Sequence, residues 1–208
     1  MIRNVWTLPL VVLLAPFTVG CPSGGVGDPC VPEDEFRTDF SGFALGEVNV
    51  ESRSFQCESR VCLVNSFQGR VSCPYGQIGN ADEVDGVENP QQRCVIPGGN
   101  PTQQQDLVIP PVTPQRAARP PEDAVYCSCR CNGPDPNARY CECPSGFSCT
   151  ELIPDFGPEF GGQNLSGSYC VRSGTNVDNP LDVSPTLCEA GPDINNPIQD
   201  CGPATGPQ

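Results

Sequence analysis

Cysteine spacing constrains this chain more than anything else in it, because cross-links decide which distant segments must lie together. Fifteen cysteines occur in 208 residues, and the first, Cys21, stands directly after an apolar leader. With Cys21 set aside, fourteen remain: Cys30, Cys57, Cys62, Cys73, Cys94, Cys127, Cys129, Cys131, Cys141, Cys143, Cys149, Cys170, Cys188 and Cys201. That even number closes seven disulfides, and such a framework persists in an oxidising compartment.

Residues 1–20 carry one positive charge, Arg3, followed by an apolar run over 5–19 interrupted by Thr7, Pro9, Pro16 and Thr18. A run of about 15 residues falls short of the ~20 that a membrane-spanning helix needs, and reads as a secretory signal peptide. Thr18-Val19-Gly20-Cys21 resembles the lipobox of bacterial lipoproteins, in which small residues precede a cysteine that is lipidated on sulfur and becomes the new N-terminus; Thr18 stands where that family usually has leucine. The resemblance implies lipidation at Cys21 and a place in the bacterial cell envelope, outside the cytoplasm. Pro22 occupies the position where an Asp would mark inner-membrane retention, which implies the outer membrane. Ordinary signal-peptide cleavage near Gly20 is the competing reading. It leaves Cys21 as an odd thiol on a secreted protein, so cysteine parity favours lipidation. Acyl chains such as palmitate, at ~0.8 kcal/mol per buried methylene, would make the anchor effectively permanent.

Cleavage before Cys21 takes Arg3, one of eleven basic residues, and leaves ten against twenty-five acidic ones, a net charge of −15. A body this acidic is not built to bind nucleic acid or, through net charge, anionic lipid. The chain has no His and no Lys. Ser/His and Cys/His nucleophile systems, imidazole metal ligands, Schiff bases and phosphate-loop lysines are therefore excluded. Carboxylates, Tyr, Ser and Cys are what remains for chemistry.

With Gly and Pro abundant (22 and 25 residues) and aromatic residues at 7%, the chain can form small apolar clusters rather than one large core. The expected fold is small, disulfide-rich and mostly β, with short strands, long irregular loops and little helix outside the signal peptide. Residues 21–32 read as a Gly/Pro-rich, lipid-anchored tether lifting the body off the membrane, followed by a first Cys-rich lobe over 33–96. Within that lobe, 47–51 alternates as a half-buried strand, while 60–64 and 69–73 suggest further short strands around a turn. Residues 33–45 suit one or two helical turns, with Phe36, Phe40 and Phe43 as core contacts. A Pro-rich connecting segment covers 97–124 and has no cysteine; 107–109 suits pairing at a sheet edge. Five framework cysteines precede this segment and nine follow it, so full pairing requires at least one disulfide to cross it. The second Cys-rich lobe, 125–208, is thereby stapled to the first. Its acidic end, 178–208, reads as a strap pinned by Cys188 and Cys201.

In the second lobe, Cys127-Ser128-Cys129-Arg130-Cys131 and Cys141-Glu142-Cys143 flank the turn-forming Asn132-Gly133-Pro134-Asp135-Pro136-Asn137. Alternation on a strand puts Cys127, Cys129 and Cys131 on one face, and a hairpin is expected. Val125-Tyr126-Cys127-Ser128-Cys129 is echoed by Arg139-Tyr140-Cys141-Glu142-Cys143 and, in part, by Ser168-Tyr169-Cys170. Cys141, Cys143, Gly146, Phe147 and Cys149 show a weak local similarity to the tail of an EGF-like module, which ends in C-x-C, a Gly-aromatic pair and a final cysteine. A thiolate metal cluster would suit a reducing compartment; here the oxidising location and even parity point to structural disulfides, and the absence of any C-x-x-C disfavours redox catalysis.

Asp82, Glu83, Asp85 and Glu88, with Gly86 for a turn, are a weak candidate for calcium. They do not match an EF-hand loop, and a solvated charge run is the expectation, with no cofactor. Three functions from different classes remain. The favoured one is a non-catalytic envelope lipoprotein, a structural or binding module that contacts the membrane through its anchor and an envelope protein or polysaccharide through its body. The second is a protease inhibitor presenting 115–121, with Arg116 suited to a trypsin-like pocket and Arg119 less so before Pro120. The third is an extracytoplasmic enzyme using paired carboxylates.

Overall fold

The computed structural model describes residues 24–78, 93–155, 165–175, 177, 179 and 183–188. Among these the fold is mostly β, with two small antiparallel sheets and almost no helix. The first sheet has the order β1-β2-β3, formed by β1 (Val48–Glu51), β2 (Val61–Asn65) and β3 (Val125–Ser128). The second has the order β4-β6-β5, from β4 (Arg130–Asn132), β5 (Phe147–Ile153) and β6 (Gly167–Arg172). The helices are a four-residue α1 (Pro121–Ala124) and two 3-10 turns, Glu33–Phe36 and Gln104–Asp106. The expected helical turns over 33–45 shrink to the first of these. Phe43 is buried with Phe40 edge-on against it at 4.8 Å, while Phe36 stays half exposed.

Period-two alternation explains how the first sheet is covered on both faces. Cys62 and Val64 of β2, with Val125 and Cys127 of β3, point into a cluster with Cys30, Phe43, Cys57, Phe67 and Ala124. Leu63, Tyr126 and Val50 point the other way, where Tyr169 and Val171 of β6 meet them and Phe147, Leu152 and Ile153 pack alongside. This second cluster joins the sheets. Each fully buried side chain of this kind contributes roughly 1.5–3 kcal/mol, and the cross-sheet hydrogen bond from the Arg172 N–H to the Tyr126 hydroxyl, 2.9 Å, fixes the register between them. A third cluster holds Cys73, Cys94, Val108 and Val112.

The expected hairpin between 127–131 and 141–143 does not form. Alternation is interrupted at Cys129, where the chain leaves the first sheet and enters the second: β3 pairs with β2 while β4 pairs with β6. Cys127 therefore belongs to the first lobe's apolar cluster, and Cys129 does not share its face. The segment 141–143 is not a strand; the Cys141 N–H reaches the Arg130 carbonyl at 3.1 Å beside the Cys129–Cys141 bridge. Residues 69–73 likewise make isolated bridges, Phe43 to Gly69 and Arg70 to Cys73, rather than a strand.

Residues 24–32, the described part of the expected tether, are bonded into the fold, and the Pro-rich connecting segment is partly buried. The chain enters the fold at Gly24, whose N–H donates to the Gln56 carbonyl at 2.7 Å and whose carbonyl accepts from Glu58 at 2.9 Å. It then lies along the outer edge of β3, with reciprocal bonds of 2.8 Å linking Gly27 and Asp28 to Cys127. A covered edge cannot pair with another chain. Cys30, Val31 and Pro32 are buried. In the Pro-rich segment Leu107, Val108, Val112, Gln115 and Arg119 are all buried.

Irregular chain can be buried only if its carbonyls find donors, and proline supplies none. Side chains supply them here. Arg70 donates to the carbonyls of Glu35, Arg37 and Phe40, and Arg119 to those of Asn65, Ser66 and Thr175. Gln77 spans Val108 and Pro110 while accepting from the Cys94 N–H, Gln68 reaches Pro114, and Gln115 reaches Arg70. A guanidinium fork can serve several carbonyls from a fixed plane, which the compact ammonium of lysine does less well.

Candidate functional site

Thirteen cysteines fall among the described residues, and all thirteen are disulfide-bonded. Six bridges are Cys30–Cys62, Cys57–Cys127, Cys73–Cys94, Cys129–Cys141, Cys131–Cys149 and Cys143–Cys170. Cys57–Cys127 spans the Pro-rich segment and ties the two lobes. Cys188 is also bonded and buried; Cys201 lies outside the described residues, as do Cys21 and the acidic candidates Asp82, Glu83, Asp85 and Glu88.

Both sheets place two cysteines directly opposite each other across adjacent strands: Cys62 with Cys127, and Cys149 with Cys170. In neither pair do the two bond together. Each bonds elsewhere instead: Cys62, Cys127 and Cys170 pin irregular chain onto the sheets, and Cys149 bonds Cys131 of β4 within the second sheet. Their sulfurs crowd together as a result. Cys129 and Cys141 Sγ lie 3.6 and 3.8 Å from Cys170 Sγ, and among the described residues three trios of cysteines, such as Cys30, Cys57 and Cys127, each hold their sulfurs within 4.8 Å. The spacing would suit a thiolate metal centre, yet every sulfur involved is oxidised to a disulfide and has no thiolate to offer.

Glu35 is fully buried, and its carboxylate accepts from the Val71 N–H at 2.7 Å, the Ser72 N–H at 3.3 Å and the Ser72 hydroxyl at 2.6 Å, with Arg70 Nε at 3.4 Å. All its partners are structural. Burial pulls the Arg70 pKa down and the Glu35 charge pulls it back up. The segment 115–121 is not displayed as an inhibitory loop would be. Gln115 and Arg119 are buried, and Arg119 would have to give up its three carbonyls to enter a protease pocket. Burial also lowers the Arg119 pKa. Arg116 is half-buried, with Nε bonded to Gln68 at 3.1 Å.

Sequence reasoning passes over one surface. The loop 52–60 carries Phe55 at 82% exposure, with the Arg60 guanidinium 4.3 Å from its ring centroid. The loop is held rigidly beneath that ring. Ser54 N–H bonds the Arg60 carbonyl at 3.0 Å, the Gln56 side chain clasps both backbone groups of Val31, and Cys57 is bridged to β3. Arg60 adopts φ 66°, a left-handed conformation that side-chain-bearing residues seldom take. An unpaired phenylalanine between serine and glutamine has no periodicity to mark it; its flanking arginines are the only local signal.

Compared with protein-family models, with curated proteins and with solved structures, the chain matches none. The class that the fold itself defines is a small disulfide-rich β protein, built on two sheets that each carry their own bridges.

Proposed function

We propose that this protein is a non-catalytic lipoprotein of the bacterial cell envelope, anchored through acyl chains on Cys21 and acting as a rigid structural or binding module outside the cytoplasm, on the outer membrane. The observation that carries this reading is that all thirteen cysteines of the described residues are disulfide-bonded. Such a framework favours an oxidising compartment, and with Cys201 taken as the partner of Cys188 it leaves Cys21, directly after the leader, as the cysteine placed for lipidation. Oxidised sulfur and a structurally committed Glu35 favour a scaffold over a catalyst. The acidic surface favours an envelope protein or polysaccharide partner over nucleic acid.

Intact-mass measurement of the membrane fraction tests the reading. The mature protein should begin at Cys21 and carry an added acyl mass, and reduction should add about two hydrogens for each bridge. A Cys21→Ser protein should partition into the aqueous rather than the detergent phase. An unacylated mature protein, or a Cys21→Ser variant that stays with the membrane, would overturn the anchor.

A further inference from the structure

Chain length limits how far the body can stand from its anchor. Between Cys21 and Gly24 lie three Cα–Cα steps, a reach of no more than about 11 Å. Gly24 is no free end, since its N–H and carbonyl are bonded to Gln56 and Glu58 on the loop 52–60. A cysteine embedded by its acyl chains would therefore hold this loop, and not some other face, against the lipid headgroups.

The loop has the chemistry that such a position calls for. Phe55 is almost fully exposed on a loop held by hydrogen bonds to Arg60 and Val31 and by the Cys57–Cys127 bridge, which lowers the backbone ordering cost when it enters an apolar phase. Aromatic rings favour the membrane–water interface, and long arginine side chains keep their heads among phosphates while their stems lie along apolar surface. Arg53 and Arg60 are both exposed here. With Glu58 as its one carboxylate, the loop is net positive in a strongly acidic chain. The charge therefore complements lipid phosphate at the place where the anchor joins.

We infer that the loop 52–60 is a lipid-contacting surface, in which Phe55, between Arg53 and Arg60, seats in the interface of the same phospholipid leaflet that holds the Cys21 acyl chains. This rests on the anchored reading of Cys21. The body is then apposed to the bilayer with one fixed face.

A tryptophan probe tests it, because the only tryptophan of the chain, Trp6, precedes Cys21 and leaves the mature protein without background. The acylated Phe55→Trp protein is reconstituted into phosphatidylethanolamine/phosphatidylglycerol vesicles, with and without brominated acyl chains. Co-flotation is measured first; a protein that does not float overturns the anchor and this inference with it. In the floating protein the expected result is blue-shifted emission relative to Phe55→Trp, Cys21→Ser protein in buffer, together with quenching by bromolipid. An Ile78→Trp probe, placed at the fully exposed Ile78 beside the third cluster, should keep solvent-like emission. Floating Phe55→Trp protein whose emission stays solvent-like and unquenched overturns the inference while leaving the anchor intact, and would free Phe55 for a protein partner. Equal quenching of the two probes also overturns it, since the body would then have no fixed face.

Discussion

The two sheets solve the same problem by different means. In the first, β2 and β3 are covered on both faces, and Cys30, Cys57, Cys62 and Cys127 sit inside apolar clusters at 2% exposure or less. In the second, β5 is largely open to solvent and three bridges gather around β6; Cys129 and Cys170 are buried, but Cys131, Cys141 and Cys143 are half-buried and Cys149 is exposed, so Cys131–Cys149 has no buried end. Where side chains can be buried, disulfides act as core residues; where they cannot, disulfides take the place of a core. The bridges of the first sheet should therefore resist reductant and those of the second should yield to it.

Deleting one bridge from each sheet's surroundings is the strongest way to break this contrast. Loop closure alone assigns about 4 kcal/mol to Cys57–Cys127, which spans 70 residues, and about 3 kcal/mol to Cys131–Cys149, which spans 18. The first also leaves a hole in a packed cluster, so Cys57→Ala/Cys127→Ala should lose well over the closure term and fail to fold at 37 °C. Cys131→Ala/Cys149→Ala should remain folded with a lowered denaturation midpoint. Graded reduction with peptide mapping should open Cys131–Cys149 before either buried bridge. Equal losses for the two pairs, or early opening of Cys57–Cys127, would refute the contrast.

A buried charge network sharpens the picture of the first lobe. Arg70 and Glu35 are both fully buried, and breaking such a pair by removing one partner costs about 3–5 kcal/mol. Arg70→Met should lose that much, because three carbonyls lose the Arg70 donors and the buried Glu35 carboxylate, still bonded by Val71 and Ser72, loses its counter-charge. Arg70→Lys should recover only part of it, since an ammonium cannot span the same carbonyls. Chemical denaturation measures both. A lysine variant as stable as the parent would show that charge alone, rather than the fork, holds this loop.

The class of fold, the strand at 47–51, most of the strand at 60–64 and the need for a bridge across the Pro-rich segment can all be read from residue order. These follow from local alternation and from counting, which need no tertiary information. The tether expected over 21–32, in its described part 24–32, and the hairpin over 127–143 depart from the structure for a shared reason. Gly and Pro look the same in a solvated linker and in a strap laid on a sheet edge; what separates them is whether Gln56, Gln77, Arg70 and Arg119 arrive from elsewhere to meet the carbonyls. Likewise, the alternating cysteines at 127, 129 and 131 carry no local mark that the chain changes sheets at the middle one. The Tyr-Cys echo is more informative than its brevity suggests. Tyr126 and Tyr169 share the cluster that joins the sheets, while the third copy, Tyr140, lies outside any strand and only partly buried. Of the candidate surface, Phe55 is invisible in the sequence because its exposure depends on a loop pinned from three distant positions.

The joint between the sheets offers a smaller effect. Tyr126→Phe keeps the ring but removes the acceptor for the Arg172 N–H, at a cost of about 1 kcal/mol. Hydrogen exchange should quicken at Arg172 while β1–β2 protection is retained. Loss of protection throughout the first sheet would mean that the two sheets are a single cooperative unit rather than two differently built ones.

The finest distinction lies at the rim of β1, where pH reports on packing. Burial raises the Glu51 pKa above the ordinary carboxyl range; the Glu33 N–H, 2.9 Å from its Oε2, opposes this, and the Glu33 and Asp34 charges add to it. A carboxyl whose folded pKa is raised keeps its proton longer in the native state than in the unfolded one. The native state then binds more protons in that window, so stability falls as pH rises through it and stays lower at neutrality. Glu51→Gln removes this charge penalty and keeps an oxygen to accept from Glu33. At pH 7 it should raise the denaturation midpoint by less than Tyr126→Phe lowers it, and the gap from wild type should shrink as pH falls through the raised Glu51 pKa towards the ordinary value. A gap that does not change with pH, or one of opposite sign, would show that the Glu33 contact outweighs burial at this edge.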